Sequence, residues 1–156
     1  MAAGEEAFPP PRIRPIAIVV FRRPDGRILV APGYDHVKGQ RFYRPLGGEI
    51  DFGERAEDAA RREIREEIGA EVADLRLLAT FENIFVYRGH PGHELVWCFE
   101  GTLPDSRHYG QDEIMAQEGK AAFPVRWVAL EAFRSGETPL YPDGLLDLLE
   151  REWGAL

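Results

Sequence analysis

The segment from Arg55 to Ile68 constrains the fold of this chain more strongly than any other. Ala60, Ile64 and Ile68 recur every four positions, and neither Gly nor Pro interrupts the segment. This spacing places the apolar side chains on one stripe of a helix, and Gly69 is a natural stop at the C-terminal end. The chain must therefore bury one face of an amphipathic helix in its middle.

Strand patterns precede this helix. Ile13–Phe21 and Ile28–Val30 are rich in Ile and Val, and the turn sequence Pro24-Asp25-Gly26-Arg27 separates them. This arrangement predicts a hairpin of two neighbouring strands. Pro32-Gly33 is expected to end the second strand, and residues 34–43 are expected to form a polar loop that leads to the next pair of glycines.

Strand patterns also follow the helix. Leu75–Tyr87 and Glu94–Leu103 predict two antiparallel strands, and Val125–Val128 predicts a last short strand. Residues 143–153 predict a final helix whose apolar face consists of Leu145, Leu146, Leu148 and Leu149. Mixed strands with one helix in mid-chain and another at the end predict an α/β or α+β fold, in which helices cover a sheet.

The size of the chain predicts a single domain, because 156 residues suffice for one core but not for two. We expect residues 1–12, which contain Pro9-Pro10-Pro11, to be a flexible lead-in and residues 13–156 to form the domain. The first residues lack the pattern of a secretory signal, and no apolar run reaches the roughly 20 residues of a membrane span. The expected location is the cytoplasm, with no membrane partner.

Charge and cysteine content narrow the function. A formal net charge of −8 argues against nucleic acid as the main partner, because that binding depends on clustered Lys and Arg. An anionic substrate would need local positive charge, which a bound metal ion can supply. Cys98, the one cysteine, lies in the apolar run Leu95-Val96-Trp97-Cys98-Phe99, which favours a buried hydrophobic residue over a reactive thiol.

The mid-chain helix carries a group of carboxylates on one side. At about 100° per residue, Glu63 and Glu67 share a face and Glu66 lies about 60° to the side of Glu63. Like charges four residues apart destabilise a helix unless a positive charge lies between them. Carboxylate, water and backbone carbonyl oxygens are the ligands of hard cations, which points to Mg²⁺, Mn²⁺ or Ca²⁺ rather than zinc.

An ordinary solvated helix would also explain many of these charges. Glu57 with Arg61, Asp58 with Arg62, and Arg62 with Glu66 are pairs of opposite charge four residues apart. The glycine-rich loop that feeds the helix and the spacing of the whole set argue against this simpler interpretation.

The complete set of spaced residues resembles the Nudix box of the MutT-like hydrolases. Gly48 is followed after five residues by Glu54, and after seven more by Arg62-Glu63-Ile64, Glu66-Glu67 and Gly69. The match covers about 23 residues, and a chance match is on the order of 10⁻⁸ per starting position. Ala70 is smaller than the usual branched residue of this family, and Leu46 is additional to the common Pro-Gly-Gly approach.

The resemblance implies a Nudix α/β/α sandwich with a mixed sheet and a catalytic loop and helix in mid-chain. It implies hydrolysis of a phosphoanhydride bond in a nucleoside diphosphate linked to another group, with Mg²⁺ as cofactor and Mn²⁺ as a substitute. By the same resemblance Glu63, Glu66, Glu67 and the Gly48 carbonyl would bind the metal. Arg62 would orient these carboxylates, and Glu54 would support the loop from behind the metal ligands.

The resemblance leaves two alternatives for the general base that activates the attacking water. The family takes this base either from the box, where Glu63 matches, or from an acid in a later loop. In residues 111–120, which we expect to be a loop, Glu118 is the preferred late acid because a Gly follows it shortly before the strand that contains Trp127.

Substrate choice lies outside the box. A base could stack on an aromatic side chain near the site, although core packing is the commoner role; the aromatic residues in such segments are Tyr34, Phe42, Tyr43, Phe85 and Tyr87. Tyr87 lies 17 residues beyond the box, a spacing that resembles the dinucleoside polyphosphate branch. The expected partner is a small nucleotide, and a homodimer is possible.

Two rival functions use the same fold. A non-catalytic nucleotide-binding sensor would normally have lost box carboxylates, whereas Glu63, Glu66 and Glu67 are all present. An isomerase acting on an isoprenoid diphosphate would need a cysteine in a setting different from that of Cys98. The four histidines, His36, His90, His93 and His108, lack zinc-type spacing and are expected in loops.

Overall fold

A seven-stranded mixed sheet forms the centre of the structure, which is a computed structural model that describes residues 10–154. Its spatial order is β4-β5-β1-β3-β2-β7-β6. Strands β1 and β5 are parallel, and the other neighbouring pairs are antiparallel. The strands are β1 Ile13–Phe21, β2 Ile28–Asp35, β3 Gln40–Glu49, β4 Ala73–Tyr87, β5 His90–Thr102, β6 Glu113–Glu118 and β7 Ala121–Val128. The predicted lead-in, residues 1–12, lies mostly outside the described residues.

Helices cover both faces of this sheet. Helix α1, Ala56–Ile68, packs on one face, and the short helix α2, Glu131–Arg134, and helix α3, Leu145–Trp153, pack on the other. Strand β1 is buried on both sides, since Ala17 and Val19 belong to the core under α1 and Ile18 and Val20 to the core under α3. A strand covered on both faces reads as a continuous apolar run. The predicted α/β/α sandwich is confirmed.

The mid-chain helix forms as its apolar stripe predicts. Helix α1 begins one residue later than expected, and Ala59, Ala60 and Ile64 are buried against the sheet. Gly69 ends the helix in the left-handed conformation with φ 66°, and its N–H donates to the Arg65 carbonyl oxygen. This conformation is strained for residues with a Cβ and common for Gly at this position.

The first two strands begin where the sequence predicts, at Ile13 and Ile28, but their predicted pairing as a hairpin was wrong. Strands β1 and β2 meet at the turn and share an isolated bridge between Arg22 and Ile28, but β3 then lies between them. Residues 40–43 belong to β3 rather than to a polar loop, and Pro32-Gly33 lies inside β2. The prolines and glycines within β2 and β3 are unfavourable inside strands, so the sequence pattern did not predict the full length of these strands.

Downstream, the two long strands pair antiparallel as predicted, and the last helix begins two residues later than expected. The segment 111–120 was predicted to be a loop, whereas Glu113–Glu118 forms the edge strand β6. Only Ile114 and Ala116 are buried in this strand, so its apolar signal is weak. Among residues 10–154, no helix combines the length and the apolar character required to cross a membrane.

Strand β3 ends in the glycine pair that leads to α1. A Cβ atom on Gly47 would lie 2.0 Å from the Ala17 carbonyl oxygen of β1, and Gly47 has φ +150°. Only glycine fits where the two strands approach so closely. Leu46, the residue additional to the common family pattern, is buried in the core under α1. Tight packing of β3 against β1 therefore fixes where the loop to α1 begins.

Candidate active site

Gly48 and Glu63 lie in direct contact where β3 leads toward α1. A Cβ atom on Gly48 would lie 2.5 Å from Glu63 Cδ and 2.6 Å from both Glu63 carboxylate oxygens. Because Gly48 has no side chain, the Glu63 carboxyl group can occupy this space. Glu63 is half-buried there, beside the backbone of the loop.

Arg62 joins the loop to the helix. Its Nε and Nη2 donate to both Glu54 carboxylate oxygens at 2.8 and 3.0 Å, and Nη2 also donates to the Glu49 carbonyl oxygen at 3.0 Å. Its Nη1 donates to Glu63 at 2.9 Å and to Glu66 at 3.2 Å. These acceptors raise the pKa of Arg62 well above its usual range, Glu54 contributing most. A two-pronged guanidinium–carboxylate contact fixes orientation as well as charge.

Glu54 holds the loop against this arginine. Besides Arg62, it accepts the Asp51 N–H at 3.2 Å, and its own N–H donates to the Asp51 carbonyl oxygen at 3.0 Å. Hydrogen bonds from Arg62 lower the pKa of the Glu54 carboxyl group. Glu54 is therefore ionised and connects the loop to α1 through Arg62.

Glu67 is one of two buried charged or polar residues in the described part of the chain, with a relative exposure of 8%. Burial raises its pKa to about 8, and the negative charges of Glu63 and Glu118 contribute. Burial also raises the pKa of Glu63, although Arg62 opposes that change. Glu63 and Glu67 are hydrogen-bonded to each other, so the pair retains a proton near neutral pH. A cation bound in place of this proton would favour the ionised form of both carboxyl groups.

Glu66 is oriented differently from the other two box glutamates. Its side chain is 58% exposed and pairs with Arg62. Within residues 10–154, no three His, Cys, Asp or Glu side chains are grouped closely enough to hold a metal ion. Arg62 holds Glu66 by an ion pair of 3.2 Å. Glu63, Glu67 and the adjacent Gly48 backbone still present the oxygen donors that a hard divalent ion prefers.

Glu118 lies near this carboxyl pair. It is exposed at the end of β6, and its charge raises the pKa of Glu67. The late acid expected from the sequence therefore acts electrostatically on Glu67, although it lies at the end of a strand and not in a loop. Arg44 of β3 was missed: it is exposed, and its charge acts on Glu67 in the opposite sense. Its position in the pattern Arg44, Leu46, Gly48, alternate residues of one strand, could have indicated it.

A family model described as the NUDIX domain matches residues 12–147. The chain belongs to the Nudix family. The matched range contains the loop, helix α1 and all seven strands.

Curated relatives match parts of the chain. It is 32% identical over 124 residues to a protein of Pseudomonas aeruginosa named NAD-capped RNA hydrolase NudC, with 78% of this chain and 38% of that protein aligned. It is 34% identical over 100 residues to the RNA pyrophosphohydrolase of Caulobacter vibrioides, with 56% of each chain aligned. The chain thus spans about two fifths to just over half of the length of these relatives.

Solved structures of other Nudix proteins share the fold. A MutT Nudix hydrolase from Burkholderia pseudomallei superposes with a TM-score of 0.61 at 23% identity, covering 89% of this chain and 97% of that one. A Nudix hydrolase from Nitrosomonas europaea gives a TM-score of 0.61 at 14% identity, covering 91% and 88%. At these identities the likeness shows the fold alone.

The aromatic residues of this Nudix chain gather where two hairpins meet. Phe42 contacts Tyr87 and Tyr141 edge-on, with centroid distances of 5.9 and 5.3 Å. Buried Asp35 accepts the N–H groups of Val37, Lys38 and Arg88, which joins the β2–β3 turn to the β4–β5 turn. A cavity of about 950 Å³ lies along the β2–β3 hairpin and is lined partly by Tyr34, Phe42 and Tyr43. Tyr43 also packs against Phe133 of α2.

Cys98 is buried as predicted, whereas the prediction that the histidines lie in loops was wrong for three of them: His90 and His93 belong to β5, and His108 lies in a short 3-10 helix, Ser106–Gly110. Cys98 is fully buried, and burial raises the pKa of its thiol to about 12. A thiol so far from ionisation is a poor nucleophile. His36 and His90 are exposed, and His93 is within 3.3 Å of Glu82.

Proposed function

We propose that this Nudix protein hydrolyses a phosphoanhydride bond in a nucleoside diphosphate linked to another group, with Mg²⁺ or Mn²⁺ as cofactor. The observation that carries the proposal is the carboxyl pair Glu63 and Glu67, which is hydrogen-bonded, largely buried and placed against Gly48. Burying two carboxyl groups together is costly unless a cation compensates them. The names of the curated relatives as hydrolases support the reaction class.

The metal ligands in this proposal are the carboxylates of Glu63, Glu66 and Glu67 and the Gly48 carbonyl oxygen. Glu66 would join them by giving up its 3.2 Å contact with Arg62, since its side chain is otherwise 58% exposed. A bound divalent ion would neutralise the pyrophosphate and stabilise charge on the leaving oxygen. The protein's own contribution is to hold these oxygen donors in place and to release the proton shared by Glu63 and Glu67.

Arg62 and Glu54 act as positioning residues in this proposal. Arg62 holds Glu63 at 2.9 Å while Glu54 fixes the guanidinium from the other side at 2.8 and 3.0 Å. Residues that orient metal ligands in this way typically contribute about 10- to 100-fold to metal affinity or activity.

The general base is proposed to be either Glu63 or Glu118, and kinetics can separate them. If Glu118 is the base, Glu118→Gln should remove the acidic limb of the pH profile of kcat while the affinity for Mn²⁺ changes little. If Glu63 is the base, Glu63→Gln should abolish turnover and Glu118→Gln should retain the acidic limb. Glu113→Gln is a matched control, because Glu113 lies at the other end of β6 and pairs with Arg126 at 2.7 Å.

The substrate class is proposed to be a small nucleotide, on the basis of the net charge of −8 and the aromatic group around Phe42. The relatives named for RNA substrates favour a second candidate, the 5′ end of an RNA, which contains the same type of bond. The reaction at the phosphoanhydride would be common to both. A cytoplasmic location and a homodimer stay predictions of the sequence.

A substrate panel tests the proposal. Purified protein is incubated with nucleoside triphosphates, dinucleoside polyphosphates, ADP-ribose, NAD, nucleotide sugars, and RNA with a 5′-triphosphate or an NAD cap, with and without Mg²⁺ or Mn²⁺. Metal-dependent cleavage of one class supports the hydrolase and identifies its substrate. Stabilisation by a nucleotide without any cleavage would instead support a nucleotide-binding sensor and contradict the proposal.

A further inference from the structure

Arg44 is an arginine without a fixed partner on the active-site side of β3. It lies opposite Ala31 of β2, and Ala31 belongs to the core under α1. Leu46, two residues further along β3, belongs to the same core. Side chains two residues apart in a strand point to the same face, so Arg44 projects on the side of the sheet that α1 covers, in line with Gly48.

The charge of Arg44 acts on two carboxyl groups from different elements. It lowers the pKa of Glu67 on α1 and that of Glu94 on β5, opposing the effect of burial on both. Within residues 10–154, the exposed Arg44 side chain makes neither a hydrogen bond nor an ion pair. Its guanidinium therefore lies within electrostatic range of Glu67 without pairing with it.

Other arginines around the sheet are used differently. Arg65 and Arg76 donate to carboxylates at 2.9 and 2.8 Å, and Arg134 does so at 2.6 Å. Arg44 differs from these arginines, because its charge acts on Glu67 without a hydrogen bond or an ion pair. Such a cation retains its five donors for an external anion.

We propose that Arg44 binds a phosphate group of the substrate, on the side of the pyrophosphate that faces β3. The planar guanidinium donates two parallel hydrogen bonds to phosphate oxygens, which a point charge does not reproduce. In this role Arg44 touches the substrate and neutralises the part of the phosphate charge that a metal ion bound by the carboxylates would not neutralise. The inference rests on the proposed function, because it assigns a phosphate subsite beside the same carboxyl pair.

The alternative role for Arg44 is to neutralise Glu67 and Glu94 within the protein. The two roles differ in what Arg44→Gln changes. If Arg44 contacts a phosphate, Arg44→Gln weakens substrate binding. At a pH where Glu67 is ionised, the variant then binds metal as well as wild type does, or more tightly, since the positive charge of Arg44 no longer repels the metal ion. Loss of an internal counter-charge lowers the melting temperature and leaves the affinity for a phosphate compound unchanged.

The experiment uses adenosine α,β-methylene diphosphate, whose P–C–P bridge resists hydrolysis, with Ca²⁺ at pH 9 in isothermal titration calorimetry. We expect Arg44→Gln to weaken binding of this analogue by about 10- to 100-fold and Arg44→Lys to weaken it less. Arg151→Gln on α3, which makes only a 3.4 Å bond within its own helix, should match wild type. Mn²⁺ affinity should stay within about threefold of wild type or increase.

Equal affinity of wild type and Arg44→Gln for the analogue would overturn the inference, as would failure of wild type to bind it. KM for the substrate found in the panel should increase by a similar factor in Arg44→Gln, while kcat falls less. If wild type cleaves a substrate and KM is unchanged in Arg44→Gln, the proposed phosphate subsite is contradicted, whereas the proposed hydrolase activity is supported. If wild type cleaves no substrate, and if Arg44→Gln is the one variant with weakened binding of the analogue, the phosphate subsite is supported and the proposed reaction is contradicted.

Discussion

The buried carboxyl group of Glu67 should make the stability of the metal-free protein depend on pH. The pKa of Glu67 is raised from 4.5 to about 8 by burial and by the charges of Glu63 and Glu118. The folded state therefore holds a proton that the unfolded state releases above about pH 4.5. By linkage, the stabilisation is fully present below pH 4.5 and is lost as the pH rises toward 8.

The size of this effect follows from the pKa difference. One pKa unit corresponds to about 1.4 kcal/mol, so the loss between pH 5 and pH 8 reaches at most about 4 kcal/mol. For a protein of this length, 1 kcal/mol changes the melting temperature by about 2–4 °C. Glu67→Gln keeps the shape of the protonated side chain and does not ionise. We expect it to melt close to wild type at pH 5 and roughly 8 °C or more above wild type at pH 8.

The assay is thermal unfolding followed by circular dichroism, in EDTA, from pH 5 to pH 8.5. Glu66→Gln is the matched control, because the Glu66 side chain is 58% exposed and its removal should leave the pH dependence of wild type in place. Addition of Mg²⁺ at pH 8 should raise the melting temperature of wild type and leave that of Glu67→Gln unchanged, since the metal replaces the proton only where Glu67 can ionise. A difference between wild type and Glu67→Gln that stays constant across this pH range would refute the reasoning.

Three further predictions concern the residues around the site. Glu54→Gln weakens the hold on Arg62, so kcat should fall about 10- to 100-fold in steady-state assays, whereas an unchanged kcat would remove Glu54 from the site. Gly48→Ala places a Cβ atom 2.5 Å from Glu63 Cδ and should weaken Mn²⁺ binding at least about tenfold in calorimetry, with wild-type affinity as the contradicting result. Asp35→Ala leaves three backbone N–H groups without their acceptor and should cost about 1–3 kcal/mol in urea unfolding; a loss below measurement error would contradict a role in joining the two hairpins.

The helix and its carboxylates were predictable because their signals are local. The stripe of Ala60 and Ile64, the stop at Gly69 and the spacing from Gly48 to Glu67 each depend on residues close in sequence. Contacts within one or two turns of a helix follow from its geometry alone. The fold class followed from the same helix together with the strand patterns on both sides.

Strand order was not predictable from local patterns. The placement of β3 between β1 and β2 depends on the pairing of residues far apart in sequence, such as Val19 with Leu46. It also depends on the close approach of β3 to β1 that only a glycine at position 47 allows. Strand β6 was missed because an edge strand with two buried side chains has little apolar signal. Topology of this kind emerges from tertiary packing rather than from local preference.

The different states of the box glutamates also lay beyond the sequence. The spacing places Glu63, Glu66 and Glu67 on one side of α1 but does not reveal that Glu67 is buried while Glu66 pairs with Arg62. Arg44 was missed because residues 34–43, directly before it, were predicted to be a loop, so that no strand face was expected at this position. Burial and electrostatic proximity are properties of the assembled sheet and helix.

The central claim is metal-dependent hydrolysis at the Glu63–Glu67 pair. Its most direct test is turnover of the best substrate by EDTA-treated protein as Mg²⁺ is added back, measured by chromatography of both products for wild type and Glu67→Gln. Our account predicts no turnover without metal, saturable recovery for wild type, and a rate lower by orders of magnitude for Glu67→Gln at every Mg²⁺ concentration. Equal recovery of both proteins, or full activity in EDTA, would contradict it.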